Sequence, residues 1–137
     1  MKKAAKKDQM EANKALVLRC YREWWDANGN VASVDEMVSP TYIGYRDDGT
    51  TRNRDELKRK IVEYQKNISG LHEKVRDVIA EGDKVMVRYS MYGKHTGVLN
   101  GLAATGKKIE YDGVEIFRIA DGKIVEFWHF GGPMKLG

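Results

Sequence analysis

The side chains of this 137-residue chain best suited to chemistry are His129, Arg88 and Tyr45, with Tyr92 and His95 behind them. His129 lies in Lys123–Phe130, where two-residue alternation puts Val125, Phe127 and His129 on one face and Ile124, Glu126 and Trp128 on the other. In Lys84–Tyr92 the same alternation separates Val85, Val87, Tyr89 and Met91 from Met86, Arg88, Ser90 and Tyr92. The second of those faces mixes a cation, a hydroxyl and a phenol with an apolar residue. Sparse polar groups on a mainly apolar concave face are the usual lining of a small-molecule pocket. The chemistry on offer is proton transfer at the imidazole and anchoring of an anion at the guanidinium. Phe127, and Trp24 from the first helix, are expected to wall that pocket. Plainer readings stand beside these. A histidine on an apolar strand is more often a satisfied core residue. Arg88 can pair with Glu115, Asp112 or Glu126 within the sheet, and Trp24 and Trp25 belong to a helix stripe of the kind that packs.

The elements that must hold these residues follow from periodicity. Leu16, Cys20 and Trp24, flanked by Val17, Tyr21 and Trp25, predict a helix over Glu11–Ala27 that stops at Asn28-Gly29-Asn30. A short helix over Val34–Val38 ends at Ser39-Pro40, and Thr41–Tyr45 reads as a short strand before a polar loop, Arg46–Arg52. Asn53, three residues ahead of Glu56, opens a helix that carries Leu57, Ile61, Tyr64 and Ile68 on one stripe. From Leu71 the period becomes two. Leu71–Ala80, Lys84–Tyr92, Lys107–Ile119 and Lys123–Phe130 predict strands, with turns at Glu81-Gly82-Asp83 and Ala120-Asp121-Gly122. Helices first and an antiparallel sheet afterwards is the order of an α+β domain. The connection Gly93–Gly106, rich in glycine, is either a lid or a bulged strand entry. Neither of the alternating strands has a plainly wet side, which predicts a homodimer through the outer sheet face.

Composition narrows the function classes. Lys2, Lys3, Lys6 and Lys7 hold most of the net charge of +4, so residues 1–10 read as a flexible basic tail and residues 11–137 as one nearly neutral domain. No signature of nucleic-acid binding follows the basic start. No run of about 18 apolar residues suggests a membrane span. A lone cysteine, Cys20, forms no internal disulfide, fits a cytoplasmic location, and sits on the helix stripe where thiols are inert. The histidines lack the close spacing of metal ligands, so a metal site is not expected.

Three stretches resemble one family. His95-Thr96-Gly97 followed by Gly101-Leu102-Ala103-Ala104-Thr105-Gly106-Lys107 is similar to the Gly-x-His-x-Gly strand end and the Gly-Leu-x-x-Thr-Gly-Lys loop of SnoaL-like polyketide cyclases. Phe117–Trp128 resembles that group's closing hairpin, and Ala80–Val85 with Val87-Arg88 the turn and strand before it. The resemblance implies a cone-shaped domain of the nuclear transport factor 2-like fold, with N-terminal helices packed into a strongly curved antiparallel sheet around a pocket. It implies an intramolecular aldol ring closure without metal or cofactor, run by a carboxylate just after the tryptophan of a Glu-x-Trp motif. That position is His129 here, and Tyr45 stands where relatives carry a histidine.

An imidazole near its ordinary pKa of about 6.5 needs less tuning for such work than an aspartate near 3.9. His129 would then move a proton beside a carbonyl, Tyr45 or Tyr92 would donate to the enolate-like oxygen, and Arg88 would anchor an anionic group. The expected function is a cofactor-independent cyclase or isomerase acting on a small apolar carbonyl compound. The alternatives are a non-catalytic ligand-binding domain and a dimeric interaction module of the same fold.

Overall fold

Val17, Cys20, Tyr21 and Trp24 are all buried, and they fix how the first helix meets the sheet. In the computed structural model, which describes residues 2–137 and the side chains from Ala5 onward, this helix, α1, spans Lys2–Glu23. Residues 2–10 are therefore helical where a flexible tail was expected, in keeping with the high helix propensity of alanine, lysine and glutamine. Met1, part of that expected tail, lies outside the described residues. At its other end α1 stops short of Ala27, because the Ala27 N–H is taken by the Leu71 carbonyl of the sheet at 2.8 Å.

A single 3-10 turn, Val31–Ser33, capped by the Asn30 side chain, leads into α2 (Val34–Met37) and directly into β1 (Val38–Arg46). The expected loop Arg46–Arg52 is instead a hairpin turn, closed by Arg46 N–H to the Thr50 carbonyl and returning as β2 (Thr51–Arg52). Helix α3 (Arg54–Asn67) starts with the anticipated capping box: the Glu56 N–H donates to Asn53 Oδ1 at 2.9 Å, and the Asn53 N–H donates to Glu56 Oε1 at 3.1 Å. The remaining strands are β3 (Ile68–Glu81), β4 (Lys84–His95), β5 (Lys108–Ala120), β6 (Lys123–Gly131) and the short β7 (Lys135–Leu136).

The sheet order is β2-β1-β6-β5-β4-β3, with β7 on β5. One pair departs from the antiparallel expectation: β1 runs parallel to β6, reached from β1 only after the rest of the sheet has been laid down. Register shifts in β3 between Ser69 and His72, and between Val75 and Asp77, curve the sheet around α1 and α3. The sheet does not close. Tight two-residue turns link β3 to β4 and β5 to β6; in the second, Asp121 and Gly122 both take positive φ, as a type I′ turn demands.

The connection after β4 is anchored to α3, and its Asn100 reaches the cavity lining described below. Thr96 and Gly97 donate their N–H groups to the Asn67 carbonyl, Asn100 reaches Lys60 and Glu63 on α3, and Leu99 is buried. The resembling motif itself makes the staple, since Thr105 Oγ1 and N–H both meet His95 Nδ1, at 3.0 and 3.3 Å. Among the described residues no helix is long and apolar enough to cross a membrane.

Candidate active site

Alternation along β5 turns Tyr111, Gly113, Glu115 and Phe117 toward the helices, and β6 supplies Phe127, His129 and Gly131 to the same face. Cross-strand register sets Glu115 opposite His129, Phe117 opposite Phe127 and Gly113 opposite Gly131. These residues, with Trp24 and Trp25 from the turn just after α1, Tyr42, Gly44 and Arg46 from β1, and Glu73 from β3, line a cavity of about 240 Å³. The volume suits a compact ring system.

At its centre is a chain of three side chains. The His129 ring lies between Glu115 Oε2, 2.8 Å from Nδ1, and the Tyr111 hydroxyl, 2.6 Å from Nε2. A carboxylate only accepts, so Nδ1 carries a proton toward Glu115, and in that tautomer of the uncharged ring Nε2 is the acceptor for Tyr111. Glu115 also accepts from the hydroxyls of Tyr21 at 2.6 Å and Tyr89 at 3.3 Å. Histidine and glutamate are 5% and 7% exposed, so this polar cluster is sealed on the sheet side. Tyr111 is half-buried and faces the cavity. Its hydroxyl is pushed up to about 12, first by burial and then by the charge of Glu115, which keeps it a donor at neutral pH.

Gly113 and Gly131 make room for the phenols. A Cβ at Gly113 would stand 2.9 Å from the Tyr89 hydroxyl, and one at Gly131 would overlap that of Tyr111 and crowd His129 Nε2.

Glu73 completes the site. Its Oε1 is enclosed and has no hydrogen-bond partner among the described residues. Burial, and after it the charge of Glu115, raises its carboxyl well above the ordinary range. A raised folded pKa means stability that is full below the unfolded value, about 4.3, and is lost as pH climbs toward the folded one. Glu73→Gln cannot titrate, so its stability relative to the unsubstituted protein should grow across that window. Urea unfolding at intervals from pH 4.5 to 8 checks this; parallel curves for the two proteins contradict it.

The sequence-based candidates divide by face. His129, Phe127 and Trp24 line the cavity. Trp24 also donates its indole N–H to Ser33, as a core tryptophan would. Arg88 and Tyr92 lie on the outer face: Arg88 pairs with Asp77 at 2.6 Å, not with Glu115, Asp112 or Glu126, and the Tyr92 hydroxyl accepts from Arg76. Tyr45 is outward too, stacked on Trp128 with its hydroxyl on Glu126. The parity of β1 causes this, since its inward residues are Tyr42, Gly44 and Arg46. His95 is buried away from the cavity in the Thr105 staple, and its Nε2 has no partner among the described residues. Sequence reasoning gave Tyr111 and Glu73 no role, placed Tyr21 and Tyr89 only in apolar rows, and treated Glu115 only as a pairing partner. The available signal was a carboxylate in an otherwise apolar inward row. Among the described residues no group of three or more histidine, cysteine or carboxylate side chains converges to hold a metal ion.

The sequence profile of SnoaL-like polyketide cyclases matches residues 15–136. The chain belongs to this family. Aklanonic acid methyl ester cyclase DnrD of Streptomyces peucetius is 26% identical over 115 residues, covering 79% of this chain and 78% of the relative. Among solved structures, AclR of Streptomyces galilaeus superposes with a TM-score of 0.78 at 26% identity, covering 90% of each chain. IdmH of Streptomyces antibioticus does so with 0.74 at 22%, covering 87% of this chain and 91% of that one, a likeness in fold. This SnoaL-like chain thus has the fold expected of it, with an imidazole after the Glu-x-Trp motif, hydrogen-bonded to a carboxylate on the neighbouring strand.

Proposed function

We propose that this family member catalyses cofactor-independent proton transfer beside a carbonyl group, leading to ring closure or isomerisation of a small polyketide-like ketone. The observation that supports it is the position of His129, held by a buried carboxylate on one side and by a cavity-facing phenol on the other. When a ketone oxygen takes over the Tyr111 hydrogen bond, Nε2 is released to accept the proton of the adjacent carbon. The C–H pair of electrons moves into the enolate, whose oxygen Tyr111 stabilises, and the imidazolium is stabilised by Glu115. In a ring closure the enolate carbon then attacks a second carbonyl of the same molecule, and His129 returns its proton to the new alkoxide. The name of the relative DnrD, a cyclase of a methyl ester, favours the same class of reaction.

The direct test follows hydrogen–deuterium exchange next to the carbonyl of 2-tetralone in heavy water by proton NMR. The protein should speed exchange well above the buffer rate; a rate equal to buffer counts against the proposal and for the non-catalytic binding alternative.

We also propose that two copies associate through the outer sheet face. Val114 pairs with Phe130 and Ile116 with Trp128 across β5 and β6, forming an apolar strip in which Phe130 is 48% exposed. Light scattering at micromolar concentration should give the dimer mass; a monomer mass removes the idea.

A further inference from the structure

Arg46 and Arg52 line the cavity and are partly buried. Arg46 stands in register with His129 on the neighbouring strand, and Arg52 lies one strand further out, opposite Gly44. Among the described residues neither side chain makes a hydrogen bond or an ion pair. The other half-buried arginines are matched: Arg19 with Glu23, Arg54 with Asp35 and Arg118 with Glu126. Burial, followed by the charge of Arg46, holds the Arg52 guanidinium below its ordinary range, so the two cations disfavour each other. The carboxylates near enough to be felt, Asp48 and Glu63, make their hydrogen bonds to other groups, Asp48 to Thr50 and Glu63 to Lys60 and the Asn100 N–H. Asp47 accepts the Gly131 N–H at 3.2 Å, and Lys60 is shared by Glu63 and Asn100. Two like charges, partly drawn from water and without a carboxylate in hydrogen-bonding contact, gain from a ligand that supplies one.

We propose that Arg46 and Arg52 together bind a carboxylate of the substrate, so that this cavity takes a free keto acid in preference to its ester. The proposal rests on the proton-transfer reading above and adds the substrate class. A guanidinium fork matches a carboxylate in two parallel hydrogen bonds, and a pair of them discriminates sharply against a neutral ester. Because Arg46 is the cross-strand neighbour of His129, a carboxylate held there orients the rest of the molecule along the cavity toward Tyr111 and the imidazole.

The test is calorimetric titration of 2-naphthoate and of its methyl ester into the full chain at low salt, with Arg46→Gln and Arg52→Gln beside the parent. The acid should bind about tenfold or more tightly than the ester, a difference of about 1.4 kcal/mol. Each substitution should remove that preference and leave ester binding nearly unchanged. Ligand-free Arg52→Gln should also melt at a higher temperature, since it relieves the repulsion. Equal binding of acid and ester, no acid binding at millimolar concentration, equal loss of both ligands in the variants, or a lowered melting temperature in Arg52→Gln each overturns the proposal. Binding is read here without turnover, so these results leave the His129–Tyr111 reading standing. Failed exchange on 2-tetralone with an intact preference for the acid would do the reverse.

Discussion

His129→Phe is expected to slow proton exchange on a bound ketone about a thousandfold, the middle of the range for a positioned acid/base group. The effect should fall on the rate constant more than on binding, because phenylalanine keeps a flat ring between Phe127 and Tyr111, whose rings stack on the imidazole with centroids 6.4 and 5.8 Å away. What disappears is the Nε2 lone pair and the cation that Glu115 would stabilise. Tyr111→Phe removes the oxygen-stabilising donor but leaves the base in place, so its loss should be smaller, about a hundredfold. Circular dichroism confirms that both variants fold. If His129→Phe retains activity within about threefold of the parent, proton transfer by this imidazole is ruled out.

The second large effect is on stability. Glu115→Ala strips the shared acceptor from Tyr21, Tyr89 and His129 at once. Removing one partner from a buried charged network typically costs about 3–5 kcal/mol, a large part of the 5–15 kcal/mol that holds a domain of this kind together. The loss is aggravated because two of the orphaned donors are core phenols, 3% and 4% exposed, which reach little water. Glu115→Gln, which keeps an acceptor oxygen in nearly the same volume, should lose distinctly less. Urea unfolding of both variants decides it. A loss below about 1 kcal/mol in Glu115→Ala would mean the carboxylate is not the hub of the network.

The inward and outward faces explain which parts of the site could be read in advance. Period-two alternation separated the two faces of β4 correctly, but it does not say which is concave. The mixed face with Arg88, Ser90 and Tyr92 looked like a pocket lining because it was polar. In the folded chain it is the solvent side, where Arg76, Ser90 and Asp112 form their own hydrogen-bonded row. The apolar face of Val85, Val87, Tyr89 and Met91 is the one the helices cover.

On β5 and β6 the obstacle was register. A two-residue turn pairing Ala120 with Lys123, continued regularly, would set Glu115 against Trp128. The irregularity beside Val125 advances the pairing by one, so that Ile124 stays inward and Glu115 meets His129. Nothing local to either residue announces that bulge. The turns, the α3 capping box and the buried stripe of α1 were legible because each depends on residues near one another in the chain. The parallel contact of β1 with β6 was not, because it joins segments far apart in sequence.

The facing pair Gly113 and Gly131 carries one last consequence. A phenol from the neighbouring strand rests over each glycine where its side chain would otherwise stand, so the hydrogen atoms at these positions define the floor of the cavity. Evolution can therefore vary the rim of the cavity residue by residue, whereas any enlargement at this crossing displaces a hydroxyl bonded to Glu115 or His129. Drift in what the cavity accepts should accordingly be recorded at the entrance, while the two glycines and the rings above them change together or remain as they are.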